Sequence, residues 1–160
     1  MPIVYFASFF LNLKEEIKKQ VLEPGSSKLT GEYLLSKFKG KKEPIKSVLL
    51  DQTIISGLGN IYANEVLFLS KINPFKKGKD INKNECNNII SSSKEILTNA
   101  IIDGGTTIKS YTSSLGVTGH YQDKLYVHKR DNMNCKICNS LILKDRIGGR
   151  STYYCPNCQK

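Results

Sequence analysis

Hydrophobic positions fall into helical spacing through the middle of this chain and into short runs bounded by turn residues at its two ends. The opening Ile3-Val4-Tyr5-Phe6-Ala7-Ser8-Phe9-Phe10 is aromatic and β-branched, which suits a strand or a helix start, yet no partner hairpin follows it. Residues 13–20 are charged, and Glu23-Pro24-Gly25-Ser26-Ser27 reads as a linker. Thr30 stands in the N-cap place, with Leu29 and Leu34 at the two positions of a hydrophobic staple and Gly40 as a stop. Together they predict a helix over 31–39. Lys41-Lys42-Glu43-Pro44 breaks the chain, after which Ile45, Val48, Leu49 and Ile55 line one helical face. Ser56-Gly57-Leu58-Gly59 makes a tight turn, and a helix restarts with Asn60 in the capping place and runs to Phe68. Two helices therefore meet at a glycine-rich corner. Cys86, Ile89, Ile90, Ser93, Ile96, Leu97, Ala100 and Ile101 recur at spacings of three and four, the stripe of an amphipathic helix of about five turns that Gly104-Gly105 ends. Thr106 to Tyr121 has no sustained period and reads as a loop, and Leu125-Tyr126-Val127-His128 as a short strand. From Cys135 to Cys158, β-formers lie between two turn signals.

Length and charge narrow this picture. The 160 residues allow one modest domain with a small satellite and exclude a large multidomain enzyme. Lysine and arginine number 24 against 14 acids, a formal charge of +10, and 21 of the 24 bases are lysine. Such an excess most often meets phosphates. The first basic residue is Lys14, so no charged start precedes a cleavable apolar core, and the run from Pro2 to Phe10 is too short to span a bilayer. The expectation is a soluble, cytoplasmic protein in a reducing compartment, where clustered cysteines bind metal more often than they pair.

Four of the five cysteines carry the sharpest chemistry. Cys135-Lys136-Ile137-Cys138, sixteen intervening residues and Cys155-Pro156-Asn157-Cys158 have the spacing of a four-cysteine zinc ribbon. Four thiolates would close the metal's shell, so one zinc is expected, structural and not catalytic, folding a hairpin too small to fold alone. A redox dithiol is the competing reading. Cys86 fits the apolar face of its helix. The Gly57-Leu58-Gly59-Asn60 corner offers backbone amides at a helix start, which is either a phosphate site or an ordinary cap. Arg150, in Gly148-Gly149-Arg150, falls at the tip of the hairpin between the knuckles, where it can meet a phosphate or simply solvent. His120 and His128 have no acid or base partner nearby in sequence and read as surface or hydrogen-bonding residues. Lys37, Lys39, Lys41, Lys42 and Lys46 form either a solvated face or the skirt of a DNA groove.

The motifs in order, Leu50-Asp51-Gln52 to Gly57-Leu58-Gly59-Asn60-Ile61-Tyr62-Ala63-Asn64-Glu65, Gly104-Gly105-Thr106-Thr107, Leu125-Tyr126-Val127 and Gly148-Gly149-Arg150-Ser151-Thr152-Tyr153-Tyr154-Cys155-Pro156-Asn157-Cys158-Gln159, resemble formamidopyrimidine-DNA glycosylases. The likeness runs from about Lys28 to Lys160. It implies a mainly α fold: a helix-two-turn-helix DNA-binding domain over 28–130, then a small β-hairpin four-cysteine zinc finger over 131–160, with 1–27 unassigned. It further implies base-excision repair of oxidised purines (formamidopyrimidine, 8-oxoguanine) by a glycosylase/AP lyase that flips the damaged base out of double-stranded DNA. Asn60 and Arg150 would grip phosphates beside the flipped nucleotide, with Gly59, Lys46 and His128 in the same DNA-binding set. His128 stands where the family usually places a tyrosine. Residues 112–121 match the region that closes over an oxidised guanine. Cys135, Cys138, Cys155 and Cys158 would hold the zinc. In the family an N-terminal β-sandwich begins Pro-Glu and supplies the amine nucleophile, whereas this chain begins Met1-Pro2-Ile3, with no acid after the proline. No catalytic residue is therefore expected here, and the chain alone is predicted to be an inactive, monomeric binding part that depends on a separate catalytic domain. The competing readings are a stand-alone, non-catalytic zinc-containing DNA-binding module and a zinc-ribbon protein of translation or transcription.

Overall fold

The computed structural model describes residues 24–102 and 124–160. The opening segment, the Gly104-Gly105 stop, the loop over 106–121 and His120 lie outside the described residues. In chain order the elements are α1 (Gly31–Phe38), α2 (Ile45–Leu49), α3 (Asn60–Leu69), a single 3-10 turn (Gly78–Asp80), α4 (Lys83–Ile102), β1 (Leu143–Ile147) and β2 (Arg150–Tyr154).

Thr30 caps α1 as its position suggests, its side chain accepting from the Tyr33 N–H at 3.2 Å, and Leu29 and Leu34 are both buried. The long helix begins on a reciprocal capping box that the stripe of apolar residues did not reveal. The Glu85 N–H donates to Asn82 Oδ1 and the Asn82 N–H to Glu85 Oε2, each at 2.9 Å. Gly31 lies so close to α4 that a Cβ there would stand 2.1 Å from Asn87 Oδ1.

The helix expected to carry Ile45, Val48, Leu49 and Ile55 on one face stops at Leu49. Asp51 redirects the chain: its carboxylate takes the Thr53 N–H at 2.9 Å and the Thr53 hydroxyl at 2.6 Å, while its carbonyl accepts from the amides of Ile54 and Ile55. Ile54 and Ile55 are buried all the same, but from turns. Gln52 then fastens the second turn, donating to the Leu58 carbonyl at 2.9 Å and accepting from the Gly57 N–H at 2.9 Å. Gly57 has φ +88°, a left-handed backbone that side chains resist. With Leu58 fully buried, α2 and α3 are locked at a two-turn corner.

A second correction concerns residues 125–128, which form no strand. The N–H groups of Tyr126, Val127 and His128 all donate to the Glu65 carboxylate, at 2.7, 2.9 and 2.9 Å, so a side chain takes the place of a ladder partner. Beyond them β1 and β2 pair antiparallel in a two-strand hairpin, Ile147 opposite Arg150. Its two-residue turn is Gly148-Gly149, at φ +57° and +77°, the left-handed pair such a hairpin demands.

The described residues bury two apolar clusters. One joins α1 to α4 around Leu34, Phe38, Leu49, Leu67 and Ile89, and the other, around Val127, Cys135, Ile142, Tyr153 and Cys155, includes the hairpin. Phe68 on α3 belongs to the second, which ties the hairpin to the helices. None of the described helices is long and apolar enough to cross a membrane.

Candidate nucleic-acid interface and zinc centre

Three segments distant in sequence meet at the carbonyl of Ser151. Lys46, on α2, donates to it at 2.7 Å and to Thr152 Oγ1 at 2.7 Å, and Asn60, the first residue of α3, donates to it through Nδ2 at 3.1 Å. The expected arrangement around Lys46 therefore needs correcting. Lys46 is fully buried and stands apart from the exposed Lys37, Lys39 and Lys42 of the run it was grouped with, because residues 151 and 152 cover it. Asn60 also differs from expectation. The cap of α3 is Gly59, which has no side chain to offer, and the Asn60 amide reaches across to β2 while its Oδ1 is buried with no partner among the described residues. The start of a ten-residue helix thus has no side-chain cap.

Arg150 lies exposed beside this junction, immediately before Ser151. Among the described residues neither Lys46 nor Arg150 has a carboxylate within ion-pair range. Burial, and then the positive charge of Arg150, push the Lys46 amine down to about 8. Two cations drawn together without a counter-charge, next to an uncapped helix start, favour an anion.

His128 sits behind the junction, 7% exposed. Its Nδ1 lies 2.9 Å from Asn64 Nδ2, an amide donor, so the ring accepts there and carries its proton on Nε2. It packs edge-on against Tyr153, with ring centroids 5.0 Å apart. Burial, helped by Lys129 and Lys46, lowers its pKa to about 4, and the ring is neutral at neutral pH. Beside it Glu65 is fully buried. Burial raises its pKa while the three N–H donors oppose that rise, and because every partner is a donor the geometry suits the carboxylate. Glu65 and Asn64 stand in the motif that follows the glycine corner, but the sequence reading gave neither a role. A signal for Glu65 existed, an acid on the same helical face as Ile61 and Phe68.

The four cysteines of the tail converge, their sulfurs all within 4.8 Å of one another. Cys135 and Cys158 Sγ are 3.9 Å apart, and Cys138 and Cys155 Sγ 3.4 Å. A tetrahedron of Zn–S bonds has sulfur–sulfur edges of about 3.8 Å, so the set fits one zinc. Amides of Ile137 and Cys158 point at Cys135 and Cys155 Sγ, each at 3.4 Å, as in a turn built around thiolates. Hydrogen bonds from Ser140 and then Asn157 hold the Cys138 thiol down to about 5, whereas burial pushes the Cys155 and Cys158 thiols up. Zinc bound here closes a fourfold sulfur shell and holds the knuckles together. Gln159, which stands in the hairpin motif but was given no role from sequence, anchors the finger to the helices, accepting from the Cys155 N–H at 2.8 Å and donating to the Ile72 carbonyl at 3.0 Å.

The zinc finger alone fits more than one class of protein: residues 135–160 match the family described as a zinc finger found in FPG and IleRS. Residues 21–112 match the formamidopyrimidine-DNA glycosylase H2TH domain. The chain belongs to the formamidopyrimidine-DNA glycosylase family. It is 45% identical over 152 residues to the formamidopyrimidine-DNA glycosylase of Rickettsia bellii (strain OSU 85-389), covering 95% of this chain and 53% of that protein. With that of Ureaplasma parvum serovar 3 it shares 40% over 156 residues, 98% of this chain and 56% of the relative. Lactococcus lactis Fpg in complex with DNA containing an abasic site superposes with a TM-score of 0.82 at 37% identity, covering 92% of this chain and 55% of that one. MutM (FPG) from Thermus thermophilus gives 0.80 at 28% identity over 90% of this chain and 55% of that one. The chain spans about half the length of the glycosylases it matches. The zinc finger and the two-turn corner expected from sequence are thus those of this family.

Proposed function

We propose that this chain is the DNA-binding part of a base-excision-repair glycosylase/AP lyase for oxidised purines, and that its Ser151 junction grips the backbone of damaged duplex DNA. One observation carries the reading: Lys46 is fully buried with no carboxylate partner among the described residues, beside Arg150 and the uncapped start of α3. Burying a charge without an opposite charge is costly, and a phosphate docked against Arg150 and the Asn60 amide supplies one. In this reading Arg150 makes charge-assisted bonds to the phosphate, and Gly59 lets the backbone approach closely because it presents no side chain. Lys46 adds charge from beneath, and the Nε2 proton of His128 is a neutral donor. These contacts position the duplex and carry no sequence information, as suits an enzyme that must search undamaged DNA for a lesion. Glycosidic cleavage and strand nicking need an amine nucleophile and a base pocket, which belong with the half of the related glycosylases that this chain does not span.

The test is fluorescence anisotropy on duplexes carrying 8-oxoguanine or an abasic site analogue, combined with borohydride trapping. The chain is expected to bind both, more weakly as salt rises, and to form no trapped adduct. Asn60→Ala and Arg150→Ala should each weaken binding by roughly 1–3 kcal/mol. Wild-type affinity in both variants would refute the grip, and a borohydride adduct formed by the chain alone would refute the assignment of chemistry elsewhere.

A further inference from the structure

Two lysine-bearing loops far apart in sequence are stitched edge to edge at the entrance of α2. The Gly78 N–H donates to the Glu43 carbonyl at 3.0 Å, the Lys79 N–H to the Lys41 carbonyl at 2.8 Å, and the Ile45 N–H to the Lys76 carbonyl, with Pro44 and Lys77 bridged antiparallel. Gly78 makes the approach possible, since a Cβ there would stand 2.9 Å from Lys41 Cβ. The pairing gathers Lys39, Lys41, Lys42, Lys77 and Lys79, all exposed except the half-buried Lys41, against the carboxylates of Glu43 and Asp80. Among the described residues none of these five lysines forms an ion pair, whereas the neighbouring Lys76 and Lys83 do, with Glu85 and Glu32.

The patch is continuous with the Ser151 junction. Lys41 and Ser47 line one shallow hollow together with Glu43 and Asp51, and Ser47 Oγ lies 3.4 Å from where a Cβ on Gly148, at the hairpin tip, would be. The lysines of the stitched loops thus come within reach of Arg150 across Ser47 and the hairpin turn, and the five of them outnumber the neighbouring acids Glu43, Asp51 and Asp80.

Building on the grip proposed above, we infer that the stitched loops form a second, non-specific contact for the backbone of duplex DNA, on one side only of the gripped phosphate. A group of mostly exposed lysines that outnumbers its neighbouring acids suits the regular charge of a duplex, which continues past any central site. The contact is one-sided because the loops approach the junction from the side of Ser47 and the hairpin tip.

The experiment uses the 160-residue chain and three duplexes: one just long enough for the central grip, and two extended from it, at one end or at the other. Wild type is expected to bind one extended duplex several-fold more tightly than the short duplex, and the other no more tightly. The quadruple variant Lys41→Gln, Lys42→Gln, Lys77→Gln, Lys79→Gln should keep wild-type affinity for the short duplex and lose the one-ended gain. Its salt dependence on the favoured duplex should fall by about one power of salt concentration for each phosphate that the substituted loops no longer neutralise. Equal binding of all three duplexes by wild type, equal gain at both ends, or a one-ended gain retained by the variant would each overturn the inference. The grip is judged separately, on the short duplex, by Asn60→Ala and Arg150→Ala.

Discussion

Lys46 shows how much a single residue can be changed by what covers it. Its amine, held down to about 8 by burial and by Arg150, would be drawn back up by the charge of a phosphate docked above it on Arg150 and Asn60, so binding above that pH takes up a proton. Duplex affinity is therefore expected to be flat in mildly acidic and neutral solution and to fall as pH rises through about 8, and Lys46→Met should bind more weakly without that fall. Anisotropy titrations across this range at fixed ionic strength check it, and identical pH profiles for the two proteins would contradict it. Stability of the free fold runs the other way. The folded amine lies below its ordinary value of 10.5, so the unfolded chain holds more protons between about 8 and 10.5, and the fold gains stability as pH climbs through that window. Asn60 and Arg150 could be picked out from sequence because a glycine corner and a hairpin tip mark them locally. Lys46 could not be told from its exposed neighbours, since the hydroxyl that helps bury it belongs to Thr152, 106 residues on.

At the scale of elements, signals confined to a few residues could be read and those depending on a remote partner could not. The Thr30 cap, the leucine staple and the stripe of α4 each lie within one stretch of chain. The loop over 125–130 has the composition of a strand, Leu-Tyr-Val, but its amides are taken by a carboxylate on α3 in place of a ladder partner. Glu65→Ala should leave three amides without their acceptor, at a cost on the order of 3 kcal/mol or more. That loss should spread to the His128 ring, which the same backbone carries, and to the stacking of Phe68 on Tyr126, whose centroids are 5.0 Å apart. Thermal melts and the aromatic NMR shifts of Tyr126 and His128 measure it; a variant with unaltered melting would show that the loop does not depend on this carboxylate.

For the molecule as a whole, the zinc finger and the helical part do not behave as beads on a string. Contacts from Lys46 to residues 151 and 152, from Gln159 to Ile72, and between the backbone of Lys160 and those of Lys71 and Asn73 run from the finger to the helices. They give the finger's metal an influence on order of assembly. During synthesis the helices emerge first, and until residues 151–159 arrive and are folded by zinc, the Lys46 amine has neither of its two acceptors and no cover. Zinc capture is thus the closing event, the step that seals a charged side chain inside. Chain refolded without zinc should retain most of its helical signal yet leave Lys46 open to an amine-modifying reagent. Adding one equivalent of zinc should protect that lysine while exposed lysines continue to react, and Cys155→Ser should leave it unprotected at any zinc concentration. Mass-spectrometric mapping of the modified lysines reads this directly, and a Lys46 already protected in the zinc-free chain would mean that the helices can bury the charge on their own.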